Sequence, residues 1–331
     1  MTDSRRTFLK SAAAVGSLAT LPAVPAMAKS IDADRITARF AALPGDKSFK
    51  ILAPAVKGNK SFSVELDADR MLFAASALKT FVLCEALRQV DSPDVVQTLE
   101  QRELTLDSTV WSFGSPIFNP PDLSGIVSER TTMEAMITRS DNTATDMLLK
   151  LAGADNVRAF IASAGLANTL IPDSTRALTG YLVGADDYLD LTWERLMEIA
   201  GNPQVHPFLN TVETLASSAN DFVSYYSRAL QGAFFTHDET LTEFRRVLTL
   251  CDFIYLIPLP LGVSAYAKSG NADTSGFHAR AIAGGLFFGN QWVYFAFIHN
   301  WYAESDKDPA TVAQFFSAID QSLSEVKAAL S

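Results

Sequence analysis

A chain of 331 residues that is 48% hydrophobic and 19% charged has enough apolar material for one large or two interleaved folded units, which excludes a disordered polymer. A formal net charge of -10 speaks against nucleic acid as a partner, because phosphate is held by a basic stripe and none is visible. The 2 cysteines, Cys84 and Cys251, cannot build a disulfide framework and allow a single bridge if they meet.

The chain opens on an address rather than on structure. Ser4-Arg5-Arg6-Thr7-Phe8-Leu9-Lys10 precedes an alanine-rich apolar run to Val24, and Ala26-Met27-Ala28 offers small residues to a signal peptidase. This resembles a twin-arginine export signal over residues 1–28. The resemblance implies the twin-arginine export machinery as a partner, a mature chain from about Lys29, and delivery to the periplasm or exterior. No cysteine follows the cut, so no lipid membrane anchor is expected.

Residues 31–43 carry apolar side chains at helical spacing (Ile31, Ile36, Phe40), and 49–56 and 62–66 read as a hairpin turned by Lys57-Gly-Asn-Lys60. Then comes Ser76-Ala-Leu-Lys79, heading an apolar helical run to Val90. Residues i and i+3 share a helix face, so Lys79 can reach the serine oxygen, and the free N–H groups of a helix start favour negative charge there. A serine hydroxyl is a weak nucleophile until a neighbour takes its proton; a lysine does so when burial or a second cation lowers its pKa. Alone, the spacing is common and equally describes a capped helix with an exposed lysine.

Gly and Pro mark 111–121 as a loop, in which Trp111 and Phe118 are packing or pocket-lining residues. Thr131-Thr-Met-Glu134 reads as a capping box opening a helix to Ile137, and helices follow over 142–151, closed by Gly153, and 156–164, closed by Gly165. Ser140-Asp141-Asn142 falls in the break between two of these helices. Three short polar side chains there either cap a helix or, if the flanking helices are buried, point into a crevice and need partners. Far downstream, Lys268-Ser269-Gly270-Asn271 lies on a strand, where a lysine and serine hold a carboxylate and the glycine permits close approach. Strands over 277–288 and 291–301, turned by Gly289-Asn290, and an amphipathic helix over 308–330 complete the chain.

The three polar pieces, in this order, resemble the Ser-x-x-Lys, Ser-Asp-Asn and Lys-Thr-Gly set of class A β-lactamases and penicillin-binding proteins, with Lys-Ser-Gly as the third member. Met136-Ile-Thr-Arg-Ser-Asp-Asn-Thr-Ala-Thr-Asp-Met-Leu-Leu149 and Trp292-Val-Tyr-Phe-Ala-Phe-Ile298 extend the likeness to a central helix and a late strand. The resemblance runs from about Phe49 to the end and is weakest over 172–261. It implies an α/β (α+β) fold of β-lactamase/transpeptidase type. Residues 29–75 and 261–331 would form an antiparallel sheet built from both chain ends and covered by the first and last helices. Residues 76–260 would form an all-α subdomain.

The resemblance also implies roles. Ser76 would attack an acyl carbonyl, Lys79 would accept its proton, and Ser140 would relay the proton to the leaving nitrogen. The backbone N–H groups of Ser76 and Asn271 would hold the oxyanion. Lys268, Ser269 and Gly270 would bind the substrate carboxylate and Asn142 an acyl amide, with Arg280 or His278 assisting or standing as surface groups. One departure is plain: the family's Glu-x-x-Leu-Asn loop, whose glutamate activates the deacylating water, has no match in Ile171-Pro-Asp-Ser-Thr-Arg-Ala-Leu-Thr-Gly-Tyr181. Glu194, beside Trp193, and the shorter Asp173 are the substitutes on offer, each otherwise a solvated carboxylate. The four histidines, His206, His237, His278 and His299, make no metal-binding spacing, and no cofactor is expected. Three readings stay open: a serine hydrolase acting on a small amide or ester such as a β-lactam, a peptidase on cell-wall peptides, and a non-catalytic acyl sensor.

Overall fold

The computed structural model describes residues 31–56, 60–252, 259–274 and 276–331; the expected export signal and most of the Lys57-Gly-Asn-Lys60 turn lie outside them. In chain order come α1 (Ala33–Ala41), β1 (Asp46–Ala53), β2 (Phe62–Leu66), β3 (Leu72–Phe73) and a short 3-10 turn (Ala75–Leu78) that runs into α2 (Lys79–Arg88). Next are α3 (Val95–Gln101), β4 (Glu103–Leu106), β5 (Gly125–Ser128), α4 (Glu129–Thr138), α5 (Asn142–Ala152), α6 (Ala154–Ser163), α7 (Thr175–Leu182) and α8 (Trp193–Ile199). The chain ends with β6 (Ala216–Ser217), α9 (Ala219–Ala229), α10 (Asp238–Leu248), β7 (Ser264–Asp273), β8 (Gly276–Phe288), β9 (Gln291–Ala303) and α11 (Pro309–Leu330).

Strands from both ends of the chain form one antiparallel sheet in the order β2-β1-β9-β8-β7, as the resemblance implies. β9 is buried on both faces, which explains its nearly unbroken apolar sequence. On one face Phe40 of α1 stacks on Phe49 (4.5 Å) and Phe297 (4.9 Å), joined by Phe315, Ile319 and Leu323 of α11. Each such buried side chain contributes about 2 kcal/mol. The other face, through Tyr294, Ala296 and Ile298, meets α9 and α2 in the larger core. Asp32 and Asp308 cap α1 and α11, with Pro309 opening the latter.

Two expectations change. Helix α4 starts earlier than the capping box suggests: Ser128 is its cap and accepts the Thr131 N–H, because the chain arrives from the β4–β5 hairpin, which has only four residues per strand. Residues 76–260 are accordingly not all helical; they contain that hairpin and β6 as well. Leu170 pairs with Ala216 through two backbone hydrogen bonds, closing a loop over 171–215 that holds α7 and α8 and accounts for the long spacing between Ser140 and Lys268. Cys84 and Cys251 are both free and buried. Among the described residues no helix is long and apolar enough to cross a membrane.

Candidate active site

The segment before Ser76 is fastened on two sides. β3 pairs with β6, the Ala74 N–H donates to Leu215 O (2.8 Å), and Asn300 of β9 brackets Phe73, accepting from its N–H (3.0 Å) and donating to its carbonyl (2.8 Å). The chain then turns sharply: Ala75 has φ 47, a left-handed value that costs a residue with a Cβ about 1–2 kcal/mol. Half-buried Ser76 follows in the first turn. β7 is the outer strand of its sheet, and its edge lies against this turn at Gly270. A Cβ on Gly270 would come within 2.2 Å of Ala74 O and 2.7 Å of Ser76 N, so only glycine fits. The next residue, Asn271, is exposed.

Lys79, only 1% exposed, donates to Ser140 O (2.5 Å) and Asn142 Oδ1 (2.6 Å) and reaches Ser140 Oγ at 3.3 Å. Its backbone N–H donates to Ser76 O, but its ammonium makes no hydrogen bond to Ser76 among the described residues, contrary to the helix-face expectation, because two carbonyl-type acceptors hold its head. Ser140 is placed for this by φ 58, the second left-handed residue of the site. Asp141 fixes the bend: as N-cap of α5 it accepts the Ala144 N–H, and its other oxygen accepts from Ile117 and Phe118, at 2.9 Å each. The Asn142 amide completes the frame by donating to Phe113 O (2.7 Å).

Lys268, also 1% exposed, reaches the same Ser140 Oγ at 3.2 Å and donates to Ser269 O at 2.9 Å. One hydroxyl thus stands between two buried amines. Burial, and then the charge of Lys268, hold the Lys79 pKa well below that of an ordinary lysine, against the pull of Asp141 and Asp146. Burial lowers Lys268 too, with Cys251 and Asp252 opposing it. Lys79 therefore gives up its proton first. A neutral amine has two N–H groups for Ser140 O and Asn142 Oδ1, which leaves its lone pair to accept a proton. The structure brings Ser76, Lys79, Ser140, Asn142 and the Lys268–Asn271 edge to one place.

The sequence profile of the β-lactamase enzyme family matches residues 33–319. The chain belongs to that family. Among solved structures it is similar to PBP-A (19% identity over 90% of this chain and 95% of that one, TM-score 0.66) and to the TLA-3 extended-spectrum β-lactamase (14%, 89% and 98%, 0.67). A class A β-lactamase from Bacteroides cellulosilyticus is alike in the same way (17%, 88% and 96%, 0.64). No curated protein matches the chain.

This member of the family departs from the expected pattern on the loop side of Lys79. A void of about 10 Å³ there is walled by Leu78, Val82, Leu149, Ile171, Pro172 and Leu215, with Thr145 and Thr175. Neither candidate base reaches it. Asp173 is ion-paired to Arg158 (2.6 Å), and Glu194 is exposed on α8. Two buried carboxylates that the sequence did not single out lie in this half of the protein. Asp146, one helical turn past Asn142, accepts the Thr175 (2.7 Å) and Arg176 (3.3 Å) N–H groups, and burial raises its pKa to about 6. Glu213, 3% exposed, accepts the Asp173 N–H (3.0 Å) at the neck of the loop; burial, with Asp173 nearby, raises it to about 7. Only the i+4 spacing from Asn142 could have pointed to Asp146.

Arg280 and His278 are not surface groups: both are largely buried and bound to Asp273, Arg280 through two nitrogens (3.0 and 2.8 Å) and His278 through Nδ1 (2.9 Å). Among the described residues no group of three or more His, Cys, Asp or Glu could hold a metal ion.

Proposed function

We propose that this protein is an exported serine hydrolase that cleaves a small amide or ester, such as a β-lactam, through an acyl-enzyme on Ser76 that is slow to hydrolyse. The observation that carries this reading is the buried Lys79–Ser140–Lys268 array beside Ser76. Neutral Lys79 takes the Ser76 proton as Oγ bonds to the carbonyl carbon, and the oxyanion forms against the N–H groups of Ser76 and Asn271; losing one such donor typically costs about 3 kcal/mol of barrier. The proton then passes from Lys79 through the Ser140 hydroxyl to the leaving nitrogen as the C–N bond breaks. Charged Lys268, with Ser269, attracts the substrate carboxylate, and Asn142 meets the acyl amide.

The void beside Lys79 favours a second reading, a penicillin-binding-protein-like peptidase, for which a missing loop glutamate is no obstacle. Intact-mass measurement after mixing with penicillin and with a phenyl ester separates the readings. A transient adduct with product supports the hydrolase, a persistent adduct supports the peptidase or a non-catalytic sensor, and absence of adduct and product removes them all. Ser76→Ala should abolish the adduct. Export rests on Arg5-Arg6 and Ala26-Met27-Ala28: periplasmic protein should begin near Lys29, and replacing both arginines by lysine should strand the precursor inside. Unchanged export of that variant would refute it.

A further inference from the structure

In the proposed reaction the substrate carboxylate is met by Lys268, which is a weak partner for it. Its ammonium is buried, already donates to Ser269 O and reaches Ser140 Oγ, and burial lowers its pKa. Proteins that hold a carboxylate firmly usually present the planar fork of an arginine. Two arginines adjoin this end of the site. Arg139, immediately before Ser140, is paired with Asp252 (3.1 Å). Arg280 lies directly across from Asn271 on the neighbouring strand β8. Cross-strand partners share a sheet face, and so do residues two apart on one strand, so the Arg280 side chain leaves the sheet on the same face as Ser269.

Asp273 draws that arginine the other way. It stands at the far end of β7, about 13 Å past Ser269 along an extended strand. Both of its oxygens are engaged: Oδ1 accepts from Arg280 Nη1 (3.0 Å) and His278 Nδ1 (2.9 Å), and Oδ2 from Arg280 Nη2 (2.8 Å). Nη1 also donates to Ala272 O (3.2 Å) and Ala279 O (2.8 Å), and the guanidinium carbon sits 5.7 Å from the centre of the Trp301 ring. Burial would raise the Asp273 carboxyl, but the bonds from Arg280 and His278 outweigh it and hold the group below its ordinary value. The guanidinium is thus turned toward the β7–β8 hairpin and faces a charge of opposite sign. A second carboxylate at Ser269 would feel the attraction of Arg280 and the repulsion of Asp273 together, and a chain of net charge -10 adds no long-range pull on an anion.

We propose, resting on the hydrolase reading above, that Asp273 is a positioning residue that sets substrate class: by holding Arg280 away from Ser269 it leaves a substrate carboxylate one weak partner, so the site takes uncharged esters and amides as readily as carboxylate-bearing ones. The test compares a phenyl ester with the same ester carrying a meta-carboxylate on its leaving ring, a change that alters the phenol little as a leaving group. Both are followed by kcat/KM and by adduct mass on the full chain. The wild-type protein should favour the carboxylate ester by less than about threefold, and Asp273→Asn, which keeps the shape and drops the charge, should speed that ester about tenfold and leave the neutral one unchanged. Arg280→Gln should leave the wild-type ratio as it is, an answer that does not depend on Asp273→Asn folding, and in the Asp273→Asn background it should cancel the gain. A wild-type preference of about a hundredfold for the carboxylate ester, a ratio unmoved by Asp273→Asn, or a ratio lowered by Arg280→Gln alone would overturn the assignment. Absence of adduct and product with either ester would instead remove the hydrolase reading, and this one with it.

Discussion

The two sides of Lys79 differ in kind. Toward Ser140 and Lys268 the contacts of Lys79 are hydrogen bonds, and two amines share one hydroxyl. Toward the 171–215 loop the neighbours are mostly carbon, and the two threonine hydroxyls there are already engaged, Thr145 with Asp141 O (2.8 Å) and Thr175 with Ser112 Oγ (2.7 Å). An activated water needs two to four polar partners and roughly 10–15 Å³ of room. The first side is equipped to move a proton and the second offers a water little room and few partners, so in the proposed reaction forming an acyl-enzyme and hydrolysing it would draw on unequal equipment.

The contrast breaks most sharply at Lys79 itself. Lys79→Met should slow acylation by about 10²–10⁴-fold, measured as adduct formation by intact mass; a rate near wild type would move the proton acceptor elsewhere. Gly270→Ala tests the polar side through shape alone. Its Cβ would push into Ala74 O, costing about 1–3 kcal/mol of stability and roughly tenfold in acylation, with chemical denaturation and stopped-flow as the measurements. The pH profile sharpens the same side. Acylation should rise as Lys79, lowered well below its usual value, loses its proton, and fall again as Lys268, also lowered, discharges. A profile rising only near the pKa of a free lysine would contradict the lowered Lys79 pKa.

Glu213→Gln probes the loop side and should leave the smallest mark on acylation, its effect falling on stability instead. The folded pKa of Glu213 is raised to about 7 from 4.5, so its contribution is fully present below pH 4.5 and is lost as pH rises through 7. Glutamine keeps an acceptor for the Asp173 N–H without the buried charge. The variant should therefore be more stable by up to about 3 kcal/mol above pH 7, with no advantage below pH 4.5. Equal denaturation midpoints at pH 8 would remove the raised carboxyl from the account.

What the sequence shows well is whatever repeats locally. The period of β9 and α11 marks those two elements, and three short polar motifs at the ends of apolar runs carry the resemblance that implies the sheet and the meeting of Ser76, Ser140 and Lys268. The bond between Lys79 and Ser140 O was not legible, because it depends on a left-handed Ser140 that no local pattern demands. The search for a base failed for a related reason. Asp173 is suggested by its offset from Ser140 and Glu194 by its place beside Trp193, and neither signal keeps its meaning once α7 and α8 swell the loop. Asp146 and Glu213 are buried by N–H donors 29 and 40 residues away in the chain, a pairing invisible to spacing.

Asn300, which brackets Phe73 across 227 residues, also sets the order in which this protein can come into being. When Ser76, Lys79 and Ser140 have all left the ribosome, neither β9 nor the β7 edge exists to hold the serine turn in place. At bacterial-type elongation rates of about 5–20 residues per second, the nascent chain waits roughly ten seconds or more for its last strands. Sheet contacts spanning nearly the whole sequence are slow to close. During synthesis the trio proposed for catalysis is thus present but unassembled, and a chain cut short before β9 would carry every motif without the assembled site.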